Sequence, residues 1–194
     1  MQRNRMEAFS DGVLAIIITI MVLEMKIPHG AEFSDLKPLI PVILSYVLSF
    51  VYLGIYWSNH HHLIHLISRV DGALLWANLH LLFWLSLVPF VTGWMGENDF
   101  AAAPVALYGF ILLMAAVAWT ILLKAALKRE GKQSRLAQAI GNNRKGNISM
   151  ILYLLGVPAA FVSPWLAGVF FVIVAIMWIV PDRQIERVAT QDPE

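Results

Sequence analysis

The chain has 194 residues, of which 59% are hydrophobic and 14% are charged, against about 25% charged residues in ordinary soluble domains. This composition, with a mean hydropathy of +0.68, excludes a water-soluble globule and predicts an all-α integral membrane protein without an extramembrane catalytic domain. The net charge of +1 and the lack of a sustained basic face argue against a nucleic-acid partner, and the absence of cysteine excludes disulfides and thiolate metal sites.

Six apolar segments approach the roughly 20 residues that a membrane-spanning helix needs. We predict six helices, forming a single transmembrane domain over 1–194, at residues 8–26, 39–67, 73–95, 103–126, 147–162 and 164–181. Only Ser163 and Pro164 separate the last two segments, which favours a tight hairpin with Pro158 bending the fifth helix. One continuous helix from 147 to 181 is the alternative.

Basic residues lie mostly on one side of this six-helix arrangement, and their distribution predicts the orientation of the chain. Of the 14 basic residues, only Lys26 and Lys37 fall on the other side, together with acidic residues. The remaining basic residues are Arg3, Arg5, Arg69, Lys124, Lys128, Arg129, Lys132, Arg135, Arg144, Lys145, Arg183 and Arg187. Both termini should therefore be cytoplasmic in a multi-pass protein of the cell (inner) membrane, with 128–146 a solvated basic loop that meets anionic lipid headgroups.

The first helix combines charged ends with a short apolar stretch. Only twelve uncharged residues separate Asp11 from Glu24, a length of about 18 Å against a hydrocarbon core of about 30 Å, so protein must shield at least one carboxylate. Helical geometry places five residues on one stripe roughly 100° wide: Gly12, Ile16, Thr19, Ile20 and Leu23. Asp11 lies off this stripe, so we expect one face of the helix to line a cavity and another to pack on neighbouring helices.

An intramembrane carboxylate needs partners, and polar residues occur at a similar depth on the next two helices. The second helix ends with Trp57, Asn59, His60, His61, His62 and His65, and the third begins with Asn78 and His80 in its first two turns. We predict a buried hydrogen-bond cluster joining helices one to three, in which imidazole and amide donors serve Asp11 and Ser10. Arg5 lies about 240° around the helix from Asp11 and is expected to serve another partner or to stack with Phe9.

The opening of the first helix carries a recognisable motif. Residues 5–12 read RMEAFSDG, an RxxxFSDG pattern, and AIIITIMVLE follows at 15–24. Further matching features are Trp57, Asn59, His60 and His61 at the end of helix two and the Asn78, Pro89 and Phe90 layout of helix three. Taken together, the chain resembles the transmembrane protein 175 family of potassium channels in its short prokaryotic form.

The resemblance implies a potassium-permeable, modestly selective cation channel without a TVGYG-type filter, with K⁺ as the permeant ion and no cofactor or metal site. With one FSDG motif and six helices, the chain should form a homotetramer in which helix one of each subunit lines the central pore. The family pattern implies a hydrophobic constriction at Ile16, further pore-facing positions at Ile20 and Leu23, and an ion-selecting hydroxyl at Thr19. Glu24, at the pore mouth, should concentrate cations.

The motif and its surroundings should position the pore helix rather than contact ions. The residues expected to form this inter-helix lock are Arg5, Phe9, Ser10, Asp11, Trp57, Asn59, His60, His61, Asn78 and His80. Both the resemblance and the predicted polar cluster support this structural role.

Two other classes of function stay open. A proton-coupled secondary transporter would use Asp11 and a nearby histidine as a relay, although the sequence shows no inverted repeat. A histidine-box membrane metalloenzyme would use the HHxxH pattern, which puts His61 and His65 on one helical face. Enzymes of that kind need about eight histidines in several boxes, whereas this chain has six in all. We therefore expect no enzymatic activity.

Overall fold

The computed structural model describes residues 3–131, 133–140 and 143–179, and within these ranges the regular structure is entirely helical. The helices are α1 (Arg3–Leu23), α2 (Ile40–His65), α3 (Gly72–Ser86), α4 (Val88–Glu97), α5 (Ala102–Glu130), α6 (Arg135–Ile140), α7 (Arg144–Val162) and α8 (Pro164–Ile179), with a 3₁₀ helix (Phe33–Leu39) leading into α2. The prediction of an all-α membrane protein is confirmed.

Five helical segments of the described chain are long and apolar enough to cross a membrane. These are Arg3–Leu23, Phe33–His65, Gly72–Glu97, Ala102–Glu130 and Arg144–Val162. The sixth predicted helix corresponds to α8, which is apolar but has only 16 described residues. The tight hairpin is confirmed and the single continuous helix is excluded, because Ser163 adopts an extended conformation (φ −156°, ψ 114°) between α7 and α8.

The structure corrects several predicted boundaries. Helix α1 covers 3–23 rather than 8–26, so Glu24 follows the helix instead of ending it. The third predicted helix is two helices, α3 and α4, that meet at Leu87, because the ring of Pro89 in the first turn of α4 removes one backbone donor and crowds the preceding turn. The basic loop 128–146 contains the last turn of α5 and the short α6, and Gly131, at φ +93°, terminates α5.

Helix α5 lies at the centre of the bundle, where it packs against α3, α4, α7 and α8. The ring of Phe171 on α8 fits against Gly109 of α5 and Gly156 of α7, where any larger side chain would collide with it. Tyr52 of α2 donates its hydroxyl to the backbone oxygen of Phe171 across 2.6 Å. These helices form the packed part of the bundle against which α1 lies.

Helix α1 lies at the edge of the bundle and packs against α2, α3 and α4. Its buried side chains are Met6, Ser10, Leu14, Ile17 and Met21. They follow one another at intervals of three or four residues and so occupy one face. As predicted, the face that packs on neighbouring helices is different from the stripe that contains Ile16 and Thr19.

The two polar ends of the bundle match the predicted grouping of loops. At one end, Ser68 donates its amide and its hydroxyl to Glu130 Oε1 at 2.9 Å, joining the α2–α3 connection to the end of α5. At the other end, Lys26 pairs with Glu97 at 2.7 Å. Lys132, Arg183 and Arg187, which contribute to the predicted orientation, lie outside the described residues.

Candidate functional site

The stripe predicted on the first helix is exposed along its whole length. The side chains of Ile16, Ile20 and Leu23 are 59%, 40% and 82% exposed, and Gly12 and Thr19 are exposed as well. We call these five residues the α1 stripe. Large aliphatic side chains on a helix that is well packed on its opposite face indicate a surface made for another apolar environment. In a membrane protein, that environment is lipid, another subunit or a pore.

The hydroxyl of Thr19 is bonded to its own helix. Thr19 Oγ1 donates toward the backbone oxygens of Ala15 at 3.1 Å and Ile16 at 2.9 Å. A threonine hydroxyl has one proton and two acceptor lone pairs, so spending the proton on the helix leaves the oxygen lone pairs for another ligand. The local bond is therefore compatible with an oxygen that faces a cation.

Glu24 lies in a groove at the far end of α1. Its carboxylate packs over Gly93 of α4, where the missing side chain leaves room for it. Tyr46 and Glu97 also line this groove, and the latter is paired with Lys26. Two carboxylates and one ammonium thus meet at this end, which gives the groove a net negative formal charge.

Three buried polar side chains connect α1, α2 and α3. Asn78 Nδ2 donates to Ser10 Oγ at 3.0 Å, and Asn78 Oδ1 lies 2.7 Å from His60 Nε2. Ser10 Oγ in turn donates to the Met6 backbone oxygen at 2.9 Å. We call Ser10, His60 and Asn78 the buried polar cluster, since their exposures are 0%, 2% and 0%.

The orientation of the amide fixes the state of His60. Because the Asn78 amide nitrogen serves Ser10, its oxygen faces the ring, and His60 Nε2 must carry the proton that it donates. The other ring nitrogen, Nδ1, is buried and has no hydrogen-bond partner among the described residues. A neutral imidazole satisfies both observations. Its Nε2 carries the proton that is donated to Asn78, and its Nδ1 has no proton that would need an acceptor.

A second set of contacts joins α1 and α2 closer to the surface. Trp57 Nε1 donates to Asp11 Oδ1 at 3.1 Å, and His61 Nδ1 lies 3.1 Å from Glu7 Oε1. Glu7 and Asp11 are four residues apart on α1, and Trp57 and His61 are four apart on α2. The two antiparallel helices therefore make two successive polar contacts, one helical turn apart.

The predicted cluster is confirmed in part and corrected in part. Ser10 has an amide donor as predicted, but Asp11 is served by an indole, not by an imidazole. Asn59 and His80 do not join the cluster. Asn59 Nδ2 donates to the Ile55 backbone oxygen at 2.8 Å, and His80 Nε2 accepts from Trp84 Nε1 at 2.9 Å, so each bonds within its own helix.

Arg5 and Phe9, the other motif residues, are exposed in the single chain. Phe9 is 53% exposed and contributes nothing to the buried face of α1. His61 and His65 do share a face of α2, as their spacing predicts, with ring centroids 4.2 Å apart.

Sequence reasoning missed two sets of polar residues. Glu7 lies within the RxxxFSDG motif at a position that the pattern leaves free, yet it contacts His61; its spacing of four from Asp11 is the signal that would have indicated this. Ser49 lies 2.7 Å from Thr92 Oγ1 and 3.1 Å from the Tyr108 hydroxyl, and this buried trio joins α2, α4 and α5. No spacing in the sequence links these three residues.

Comparison with known proteins identifies a family by sequence. The family model described as endosomal/lysosomal potassium channel TMEM175 matches residues 5–89. A protein named as a potassium channel from Chryseobacterium sp. (strain P1-3) is 52% identical over 187 residues, covering 96% of this chain and 97% of the relative. Another, from Chamaesiphon minutus, is 32% identical and covers 89% of this chain and 91% of the relative.

Comparison of the fold with solved structures identifies the same family. The crystal structure of a lysosomal potassium-selective channel TMEM175 homolog from Chamaesiphon minutus matches with a TM-score of 0.80 at 32% identity, covering 92% of this chain and 96% of that chain. Because the sequence similarity and the structural similarity both extend over nearly the whole length, the RxxxFSDG resemblance is confirmed, and the chain belongs to the TMEM175 family of channels.

Proposed function

We propose that this chain is one subunit of a potassium-permeable, modestly selective cation channel, a homotetramer in which four copies of α1 surround the pore. The observation that carries the proposal is the division of α1 into an exposed stripe and a buried face held by α2, α3 and α4. The relatives described above are named as potassium channels, and the family is a channel family, not a class of enzyme.

Ile16 forms the narrowest part of the proposed pore. Four isoleucine side chains that converge on an axis make an apolar ring, which opposes ion passage by its size and by expelling water. The exposure of Ile16 in the single chain, 59%, supports this role because its own chain does not cover it. Ile20 and Leu23 continue the apolar lining toward the other end.

Thr19 supplies the oxygen atoms nearest to this ring. Four hydroxyl oxygens replace part of the hydration shell of K⁺, whose dehydration costs less than that of Na⁺, and so favour K⁺. Its bonds to the Ala15 and Ile16 backbone oxygens hold the hydroxyl in place and leave lone pairs for the ion. A single ring of hydroxyls has fewer oxygens than stacked carbonyl rings, so the preference for K⁺ should be modest.

Glu24 raises the concentration of cations at the outer mouth. Its carboxylate and that of Glu97 line the same groove, and Lys26, which pairs with Glu97, offsets only one of the two negative charges. The basic residues at the opposite end favour a cytoplasmic location there by the positive-inside rule. Both termini are then cytoplasmic, and the single domain over 1–194 is inserted in the cell (inner) membrane.

The buried polar cluster and the Asp11–Trp57 contact hold α1 at a fixed rotation about its axis. This rotation decides which residues face the pore, because a turn of 100° per residue separates Ile16 from Ile17. Ser10 and Asp11 thus act on conduction through the position of α1, and they do not contact ions.

The experiment that tests the proposal is K⁺ and Na⁺ flux from purified protein in liposomes, comparing the wild type with Ile16→Asn. A polar ring at the constriction should admit water, raise the flux and reduce the preference for K⁺. Val22→Asn is the matched control, because Val22 is 47% exposed on the same helix but lies about 240° around it from Ile16. The control should conduct like the wild type.

A second measurement distinguishes the proposed channel from a proton-coupled transporter. Single-channel currents in a planar bilayer exceed any carrier rate, whereas saturating uptake that depends on a proton gradient would identify a transporter. Absence of flux from well-folded wild-type protein, or equal effects of Ile16→Asn and Val22→Asn, would reject α1 as the pore lining.

A further inference from the structure

We propose that Glu7, His61 and His65 form a binding site for a divalent transition-metal ion of the Zn²⁺ type, which bridges α1 and α2. His61 Nδ1 and His65 Nδ1 lie 3.1 Å and 3.6 Å from the same atom, Glu7 Oε1. One ligand atom from each of the three residues lies within 4.8 Å of the other two. The spacing HHxxH accounts for the two histidines, and the third ligand comes from another helix.

The chemistry of these three side chains matches the preferences of zinc. Zn²⁺ takes imidazole nitrogens and carboxylate oxygens at about 2.0–2.2 Å in a tetrahedral arrangement, which places neighbouring ligand atoms about 3.3–3.6 Å apart. The two distances from Glu7 Oε1 already fall near this range. Three protein ligands leave a fourth position for water, as in open zinc sites.

Metal binding requires that existing hydrogen bonds at the site are broken. His65 Nδ1 also lies 3.1 Å from the His61 backbone oxygen, so this nitrogen carries a proton when no metal is bound. The metal would replace the Nδ1 protons of both rings, and the His65 bond to the backbone would be lost. Arg3 Nη1 lies 3.4 Å from the His65 backbone oxygen, so its positive charge near the site opposes the binding of a cation.

The site is open to an arriving ion. The side chains of His61 and His65 are 46% and 51% exposed, and that of Glu7 is 17% exposed. Among divalent ions, hard oxygen-seeking Mg²⁺ and Ca²⁺ are disfavoured because two of the three ligands are imidazoles. The site should therefore prefer transition-metal ions such as Zn²⁺, with Co²⁺ as its spectroscopic substitute, over Mg²⁺ and Ca²⁺.

Because the site lies between α1 and α2, a bound metal would connect the two helices. Glu7 lies one turn before Asp11, and His61 lies one turn after Trp57, so the metal would replace the Glu7–His61 contact with a coordinated link next to the Asp11–Trp57 contact. It would restrain the end of α1 and stabilise the folded protein by mass action. Any effect on conduction rests on the proposed pore role of α1, but binding itself does not.

The test is titration of the metal-free, tag-free protein in detergent with ZnCl₂ by calorimetry, with CoCl₂ absorption as a second readout. The wild type should bind one ion per chain, and Co²⁺ should give the visible absorption bands of a four-coordinate site. His61→Ala, His65→Ala and Glu7→Gln should each weaken binding at least about tenfold. His29→Ala, a histidine in the loop at the opposite end, is the matched control and should bind like the wild type.

The inference would be overturned by a lack of saturable Zn²⁺ binding in the wild type, or by unchanged binding in the double variant His61→Ala/His65→Ala. Six-coordinate Co²⁺ spectra with equal loss in His29→Ala would also do so, since they indicate scattered surface binding. Thermal unfolding without metal checks that the variants are folded. Because binding is measured in detergent without flux, a conducting protein that does not bind Zn²⁺ rejects only this site, and a binding protein that does not conduct rejects only the channel.

Discussion

Asn78 donates its side-chain amide to Ser10 Oγ across 3.0 Å and thereby connects α3 to the motif on α1. The same amide group accepts from His60 of α2 through its oxygen, so one side chain satisfies polar groups on two other helices. In a fully buried position, loss of this side chain would leave the His60 Nε2 proton without its acceptor, and Ser10 would keep only its bond to the Met6 backbone oxygen. The bond is therefore central to how α1 is held.

We expect Asn78→Leu to destabilise the folded protein strongly. The substitution keeps the approximate volume but leaves the buried His60 Nε2 proton without an acceptor, at a cost of about 1–3 kcal/mol, and Ser10 loses one of its two bonds. Thermal unfolding in detergent measures the effect. Asn59→Leu is the matched control, because the Asn59 amide bonds only to the Ile55 backbone oxygen of its own helix. Equal melting temperatures for the two variants would contradict the role of the buried polar cluster.

Asp11→Ala should reduce folding or assembly more than it alters ion preference. The change leaves the Trp57 indole without its acceptor and removes one of the contacts that orient α1. We expect a lower yield of the assembled species in size-exclusion chromatography, with the K⁺ to Na⁺ flux ratio of the surviving protein close to that of the wild type. Trp57→Phe, which removes the indole donor and leaves the intramembrane carboxylate without this partner, should cause a loss of the same kind that is at least as large. Normal assembly with a changed flux ratio would place Asp11 in the ion path instead.

The sequence predicted the helices well because apolar length and Pro or Gly positions act locally. The hairpin at Ser163 follows from a backbone constraint that the sequence reveals, whereas the division at Pro89 was not predicted although its cause is equally local. The boundaries of α1 were less accurate, since polar residues from Arg3 to Glu7 remain helical at the end of the bundle. A hydropathy pattern cannot register helical turns that lie beyond the apolar stretch.

Helical spacing predicted which site residues share a helix face. The sequence did not predict which partner each polar side chain bonds to. The α1 stripe and the shared face of His61 and His65 follow from 100° per residue, and both are present. Asn59 and His80 were assigned to the cluster by depth alone, but depth does not give the rotation of α2 and α3. Each found a closer partner on its own helix.

Thr19→Val tests the hydroxyl ring. The substitution keeps the shape and removes the oxygen, so the four-fold pore would lose the ligands that favour K⁺ over Na⁺, and the flux ratio should fall toward unity with total flux still measurable. Thr120→Val on α5 is the control, because the Thr120 hydroxyl also bonds to a backbone oxygen four residues earlier, that of Ala116. If both variants retain the wild-type ratio, selectivity arises elsewhere along α1.

Cross-linking tests the four-fold arrangement, and the absence of cysteine makes the chain a clean background for it. We expect Ile16→Cys, treated in liposomes with a short bis-maleimide, to give covalent dimers, because four copies of α1 converge at this level and each single thiol can be joined to one neighbour. Ile173→Cys is the control, since Ile173 is 46% exposed but lies on α8, away from the proposed axis, and it should remain monomeric on a denaturing gel. Mass spectrometry of the native protein gives the subunit number independently. Efficient cross-linking of Ile173→Cys but not of Ile16→Cys would mean that α8, and not α1, forms the contact between subunits.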